Sequence, residues 1–252
     1  MFNNKVTGAS SGIGAAAALL FAKEGANVAI VARNLAKLTD IGKKIEATGK
    51  KPLIIQADIS IEEEAETVIP KTIDNFGKLD VLVNNAGIIS QGSIMDGKIV
   101  EAYDEVMKTN VRAVIHLTSL AAPYLAKTKG NIVNVSSAAA FRPSKLPTSA
   151  PYYVSKAALD HFSRCAALEL ATEGIRVNTV NPGPVDNDFI TNNGGDNSRK
   201  SERKKMMENY TALGFLSTNE EIGDVILFLA SDKAKSVTGS SYVTDSGILL
   251  KY

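Results

Sequence analysis

The stretch Thr7-Gly8-Ala9-Ser10-Ser11-Gly12-Ile13-Gly14 decides how the rest of the chain is read. It stands between a short opening run, residues 2–7, and an alanine-rich apolar stretch, residues 15–24. Glycine at positions 8, 12 and 14 lets a backbone turn sharply out of a strand and into a helix while leaving room for a close approach. A helix start also offers unpaired N–H groups and the positive end of the helix dipole, which suits a pyrophosphate. Gly8, Ser10, Ser11, Gly12, Ile13 and Gly14 are therefore candidate dinucleotide contacts. The spacing is G-x-x-x-G-x-G rather than G-x-G-x-x-G, and a bare strand–helix turn would show the same glycines.

Working outward, apolar runs rich in β-branched residues recur at 27–32 (NVAIVA), 51–56 (KPLIIQ), 79–84 (LDVLVN), 131–136 (NIVNVS) and 175–181 (IRVNTVN), with a weaker one at 241–244. Continuous rather than alternating apolar runs predict strands covered on both faces. Between them lie helix signals at 61–75, 104–126 and 152–172, with capping-box patterns at Ser60–Glu63 and Ser217–Glu220. End-to-end alternation predicts an α/β fold, a Rossmann-type doubly wound parallel sheet with helices on both faces, as one domain over residues 1–252. Pro70 inside the 61–75 helix predicts a kink or a helix in two pieces. The polar, glycine-containing segment 192–205 is read as a mobile loop or lid, with plain surface disorder the competing reading.

The end of the second strand bears on the cofactor. An acidic residue there binds the ribose 2′-OH of NAD, but the sequence reads Val31-Ala32-Arg33-Asn34-Leu35. A guanidinium can grip a 2′-phosphate and stack on adenine, so Arg33 and Asn34 point to NADP(H) over NAD(H); a solvated helix-start arginine is the bland alternative.

Bulk properties narrow the classes. The 252 residues carry 28 basic and 27 acidic side chains, so no strong net field draws in nucleic acid or an anionic membrane. One cysteine, Cys165, forbids an intrachain disulfide, and with only His116 and His161 a zinc site of the usual ligand set is hard to build; no metal is expected. Cys165 reads as a small buried hydrophobe, and both histidines as packing or surface residues. The start has no signal-peptide pattern and no apolar run is long enough to span a bilayer, so a cytoplasmic protein without membrane or nucleic-acid partners is expected.

The chemistry-bearing pattern is Tyr152-Tyr153-Val154-Ser155-Lys156. Four residues apart, Tyr152 and Lys156 share a helix face, and a nearby ammonium would lower the phenol pKa towards usable pH. Alone, Y-x-x-x-K is common by chance. Here TGASSGIG at 7–14, NNAG at 84–87, Asn110 in Thr109-Asn110-Val111, VNVSS at 133–137, the Y-x-x-x-K and Pro182-Gly183 occur in that order. In that order, over essentially the whole chain, they resemble the short-chain dehydrogenase/reductase family.

The resemblance implies an oxidoreductase that moves a hydride between nicotinamide and a carbonyl or alcohol. Tyr152 would give or take the substrate proton, and Ser137, chosen over Ser136, would orient the substrate oxygen. Lys156 would bind the nicotinamide ribose and tune Tyr152, and Asn110 would hold a relay water. Asp58 and Ile59 would meet the adenine, Asn85, Ala86 and Gly87 would form the cofactor wall, and Pro182, Gly183, Val185 and Asn187 would lie by the carboxamide. The pairing helices 104–126 and 152–172 imply a homodimer or homotetramer, and residues 187–216 a substrate-loop or lid region. The substrate is expected to be a small or lipophilic carbonyl or alcohol, steroid- or isoprenoid-like compounds among them. A catalytically weak dinucleotide-binding scaffold or redox sensor of the same fold is the alternative. A nucleotide-sugar epimerase would be expected to carry a longer C-terminal part.

Three features depart from the family's pattern. The first strand is about three apolar residues short, with Asn3, Asn4 and Lys5 poor central-strand residues, so a shifted register and a misplaced glycine loop are expected. Asn187 stands where a threonine is usual. The loop 141–151 is about two residues longer than is typical of the family and, with Pro143, Pro147 and Pro151, is expected to be stiff.

Overall fold

The computed structural model describes residues 3–143, 147–194 and 196–251. Seven strands form one parallel sheet: β1 Asn3–Thr7, β2 Asn27–Ala32, β3 Leu53–Gln56, β4 Val81–Asn84, β5 Asn131–Val135, β6 Arg176–Pro182 and β7 Ser241–Thr244, in the spatial order β3-β2-β1-β4-β5-β6-β7. The order reverses between β1 and β4, which defines the switch point of a doubly wound sheet.

Side-chain alternation along the strands builds the two cores. Val81 and Val83 face one side and Leu82 the other. On the first side α1 (Gly12–Lys23), α2 (Leu35–Glu46) and α9 (Asn219–Ala230) pack over Val6, Val28, Ile30, Val83 and Val133. On the second, α3 (Glu62–Phe76), α5 (Ala113–Thr128) and α6 (Ala150–Leu170) cover Leu82, Ile132, Val177, Ala29 and Val31. Both faces are buried, which is why the strands read as continuous apolar runs.

Several expectations are corrected. Of the two outcomes expected at Pro70, the helix in two pieces does not form, since α3 runs through it as one element. Pro70 lies on its exposed side, where water can take up the carbonyl that proline leaves without a donor. No capping box forms at Ser60. Its N–H and hydroxyl both donate to Asp58 Oδ1, at 2.9 and 2.7 Å, and Ile61 is the N-cap of α3. The box before α9 forms one residue later than expected, between Thr218 and Glu221. The helix expected over 104–126 is broken into α4 (Ile99–Met107), a π-helical turn at Lys108–Arg112 and α5. Within 192–205, residues 197–199 form a 3₁₀ turn and α8 (Lys200–Glu208) starts at 200, following the short α7 (Phe189–Asn192). The charged residues that read as a loop are an exposed helix. In the loop 141–151, Pro147–Ser149 is a 3₁₀ turn and residues 144–146 lie outside those described. Cys165 is exposed, because it sits on the outward side of α6 between buried Ser163 and Ala166.

The first strand keeps an ordinary parallel register, pairing Lys5 with Ala29 and Leu82 and Thr7 with Val31. Both ends are tied. The Asn3 N–H donates to Asp80 Oδ2 at 2.6 Å and its side chain donates to the Phe76 carbonyl at 3.1 Å. The Thr7 hydroxyl donates to the Val83 carbonyl and accepts from the Asn85 and Ala86 N–H groups. The glycine loop is thus held in place, against expectation. The shortfall surfaces in the middle of the strand, where Lys5 is fully buried and its Nζ, like Asn4 Oδ1, has no hydrogen-bond partner among the described residues.

Candidate active site

The carboxyl ends of β1 to β6 open into a cleft of about 670 Å³, within the range of small-molecule and cofactor sites. At one end lies the glycine loop. Gly8 has φ +64°, and a Cβ there would lie 2.7 Å from Asn85 Nδ2. At Gly14 a Cβ would fall 2.6 Å from the Gly8 carbonyl oxygen, so this glycine lets α1 pack on the loop and does not itself line the cleft. Gly12 faces open space, with nothing closer than 3.6 Å to such a Cβ. Ser11 is the N-cap of α1, yet its hydroxyl makes no capping bond. With Ser10 and Ile13 it lines the cleft at the helix start. These residues fit a bound pyrophosphate, since the cradle is one that side chains would fill.

Arg33, Asn34, Asp58 and Ile59 line the same end. The Arg33 side chain is 69% exposed and pairs with Asp58 at 3.7 Å. Asn34 accepts from the Lys37 N–H at 3.0 Å as the N-cap of α2, so its side-chain oxygen is committed to the helix. Lys37 also lines the cleft. It was missed in the sequence, where its place four residues after Arg33 was the available signal.

The wall is formed by Asn85, Ala86 and Gly87. Asn85 Nδ2 donates to the Thr7 carbonyl at 2.9 Å, tying the β4 end to the glycine loop. A Cβ on Gly87 would meet Asn110 Oδ1 at 3.3 Å and Lys156 Nζ at 3.5 Å, so a side chain here would crowd both.

Tyr152 and Lys156 come from consecutive turns at the start of α6. Lys156 is buried and donates from Nζ to the Val135 carbonyl at 2.9 Å, with that nitrogen 5.7 Å from the Tyr152 ring centre. Ser137 lies close enough to Tyr152 to favour its phenolate, accepts from the Ala139 N–H at 3.1 Å and donates to the Pro182 carbonyl at 3.4 Å. Ser136 is buried instead, with its hydroxyl donating to the Lys156 carbonyl at 3.2 Å. The geometry thus separates the two serines.

Asn110 sits in the π-helical turn, and such turns concentrate at functional sites. Its Oδ1 accepts from the Ile88 N–H at 2.8 Å, while Nδ2 donates to the Ile88 carbonyl at 2.9 Å and the Ser155 hydroxyl at 3.1 Å. It is buried behind the wall, and Thr109 rather than Asn110 lines the cleft.

Burial pushes the Tyr152 phenol up to about 12, against the opposing hydrogen bond from Ser137. The sequence had suggested that Lys156 would draw it down. Burial outweighs any such pull, with the lysine turned onto the Val135 carbonyl. Burial also brings Lys156 down to about 8, opposed by the Asp160 carboxylate one turn away.

Pro182, Gly183, Val185 and Asn187 line the opposite edge. Gly183 passes close to β7's end, where a Cβ would lie 2.7 Å from Asp245 Cα. Asn187 Nδ2 donates to Asn219 Oδ1 at 3.0 Å and its Oδ1 accepts from the Phe189 N–H at 3.0 Å. Its side chain is thus tied to the start of α9 and to its own loop. Phe189 lies 6.1 Å from the Tyr152 ring. Four residues of α8 also face the cleft, none of them singled out in the sequence: Lys200, Arg203, Lys204 and Met207. His161 is exposed on α6, and His116 lies beside Glu62 and Glu66 with their ligand atoms within 4.8 Å of one another. The sequence did not foresee this grouping because Glu62 and Glu66 on α3 meet His116 on α5 only through the fold.

Fold and cleft together define a Rossmann-type domain with a serine, tyrosine and lysine gathered at the switch-point end of the sheet. A family model described as enoyl-(acyl carrier protein) reductase matches residues 8–249. The 3-oxoacyl-[acyl-carrier-protein] reductase FabG of Staphylococcus aureus is 35% identical over 247 residues, covering 97% of this chain and 97% of the relative. A Caenorhabditis elegans short-chain dehydrogenase/reductase of unknown function, solved with cofactor, superposes with a TM-score of 0.93 at 36% identity, covering 100% of this chain and 96% of that one. A Burkholderia cenocepacia short chain dehydrogenase in complex with NADP gives 0.89 at 32% identity, covering 98% of each chain. The chain belongs to the short-chain dehydrogenase/reductase family.

Proposed function

We propose that this chain is an NADP(H)-dependent oxidoreductase that interconverts a carbonyl and an alcohol. The observation that carries the reading is the meeting, in one cleft, of a glycine cradle, Arg33, Ser137 and Tyr152 beside Lys156. The nicotinamide supplies or accepts the hydride when bound. Ser137 holds the substrate oxygen and Tyr152 donates its proton to that oxygen in reduction, or accepts it in the reverse direction. A phenol with a pKa of about 12 is fully protonated at neutral pH, so the site is set for proton donation. Lys156 binds the cofactor ribose and, once released from the Val135 carbonyl, stabilises the phenolate that donation leaves. Asn110 holds the Ile88 backbone and α6 in register for a relay water.

Arg33, with Lys37 near it, reads the 2′-phosphate, and the absence of a carboxylate at the end of β2 supports NADP(H) over NAD(H). The cofactor named for the Burkholderia structure agrees. The substrate is small or lipophilic, and residues 187–216 form its lid. A homodimer or homotetramer in the cytoplasm completes the reading, and among the described residues no helix is long and apolar enough to cross a membrane.

The test is a titration of purified protein with NADPH and NADH. NADPH is expected to bind at least tenfold more tightly, and Arg33→Ala to erase most of the difference. Equal affinity in the unmodified protein would remove the NADP(H) assignment.

A further inference from the structure

The stripe Lys200, Arg203, Lys204 and Met207 follows the i, i+3, i+4, i+7 spacing of one helix face, and that face of α8 is turned into the cleft. An inward-facing helical stripe is ordinarily apolar. Here three of its four members are cations, and one methionine completes it.

Two of the cations are held by carboxylates of the loop before α7. Lys200 pairs with Asp188 at 2.6 Å and Lys204 with Asp186 at 2.5 Å. The Asp188 carboxyl is held below its usual range first by Lys200, with a smaller contribution from Lys37 across the cleft. Along α8, Arg203 falls between Lys200 and Lys204. It is half-buried and makes no ion pair among the described residues; the exposed Asp196 feels its charge only at longer range. The two lysines are thus occupied by exposed carboxylates, and the intervening guanidinium is left to meet a ligand. Met207, Phe189 and Ile190 supply apolar lining to the same cleft.

We propose that this stripe is an anion-recognition site of the substrate pocket, with Arg203 the anchor for a carboxylate or phosphate on a substrate whose remaining body is apolar. The inference rests on the oxidoreductase reading for its place in the reaction. The cation site itself can be tested by binding alone. A guanidinium can take a carboxylate bidentately, whereas Lys200 and Lys204 are neutralised by Asp188 and Asp186, so Arg203 carries the recognition. The reacting carbonyl would then lie at Tyr152, with the charged end held at α8.

The experiment uses the full chain saturated with NADP⁺ and two unreactive probes of equal chain length, decanoate and decanamide, followed by calorimetry. The unmodified protein is expected to bind the acid about tenfold or more tightly than the amide, the scale of a charge-assisted hydrogen bond. The preference should be lost in Arg203→Gln, be partly kept in Arg203→Lys, and shrink in high salt. Acid preference without turnover of any carbonyl would uphold the anion site and remove the oxidoreductase reading. Equal binding of the two probes, or an unchanged preference in Arg203→Gln, overturns the proposal. So does an Arg203→Gln variant that weakens NADP⁺ as much as decanoate, because the stripe would then serve the dinucleotide's own phosphates. Unchanged thermal midpoints of the variants exclude loss of folding as the cause.

Discussion

Replacing Lys5 by methionine should stabilise this protein, and more so at low pH. Lys5 is fully buried at the centre of the sheet, between Ala29 and Leu82, with no partner for its ammonium among the described residues. Burial lowers its pKa from 10.5 to about 7. At ~1.4 kcal/mol per pKa unit, that gap corresponds to roughly 5 kcal/mol of stability lost wherever the unfolded chain holds the proton more firmly. Because the folded state binds the proton less well, the cost is fully present below about pH 7. It recedes as pH rises towards 10.5, where both states become neutral. Methionine has a similar length, packs well in irregular space and carries no charge. At ~2–4 °C per kcal/mol for a chain of this size, Lys5→Met should raise the thermal midpoint by roughly 10–20 °C at pH 7. Urea unfolding of both proteins at pH 6, 8 and 10 measures this directly. The gap between them should narrow steadily with pH. A gap independent of pH, or a variant less stable than its parent at pH 6, would refute the assignment of an uncompensated amine to this position.

Gly14→Ala should abolish cofactor binding while leaving secondary structure intact, because its Cβ would strike the Gly8 carbonyl and Asn85; far-UV circular dichroism with an NADPH titration checks it. Lys156, brought down to about 8 by burial, should lose its proton as pH rises through that value. kcat/KM for carbonyl reduction should fall above pH 8, and any activity left in Lys156→Arg should lack this limb, since a guanidinium stays charged. Thr218→Ala removes a complete capping box from α9 and should cost about 1 kcal/mol in chemical unfolding.

The sheet was legible because parallel strands buried on both faces leave unbroken apolar runs, and Ile30, Val83 and Val133 sit in such runs. The site was legible because its residues fall at element ends: Ser137 after β5, Tyr152 at the start of α6, Gly8 after β1. What escaped the sequence depends on contacts made across the chain. The π turn left only one trace, an asparagine at position 110 where a helix gains nothing from it. Pro70 looked disruptive because the sequence does not say which side of the helix meets water. The phenol of Tyr152 was expected to be lowered, but that depends on where Lys156 points, and Lys156 bonds to the Val135 carbonyl. The stripe on α8 was read as part of a polar loop because its charges face a cleft rather than a core, which reverses the usual amphipathic pattern. The poor first strand was visible from the outset. Its effect, an unpaired lysine rather than a displaced glycine loop, follows from tethers at Asn3 and Thr7 to residues more than seventy positions away.

The most direct test of the central claim is the rate of NADPH oxidation with a panel of carbonyl compounds, measured beside NADPH affinity for the unmodified protein and Tyr152→Phe. Loss of one hydroxyl should lower turnover by about 10²–10⁴-fold, the scale of general acid catalysis, while NADPH affinity stays within about threefold, far less than a lost charged contact would produce. Turnover that survives in Tyr152→Phe would contradict the assignment of the proton to this phenol and, with it, the account of the site.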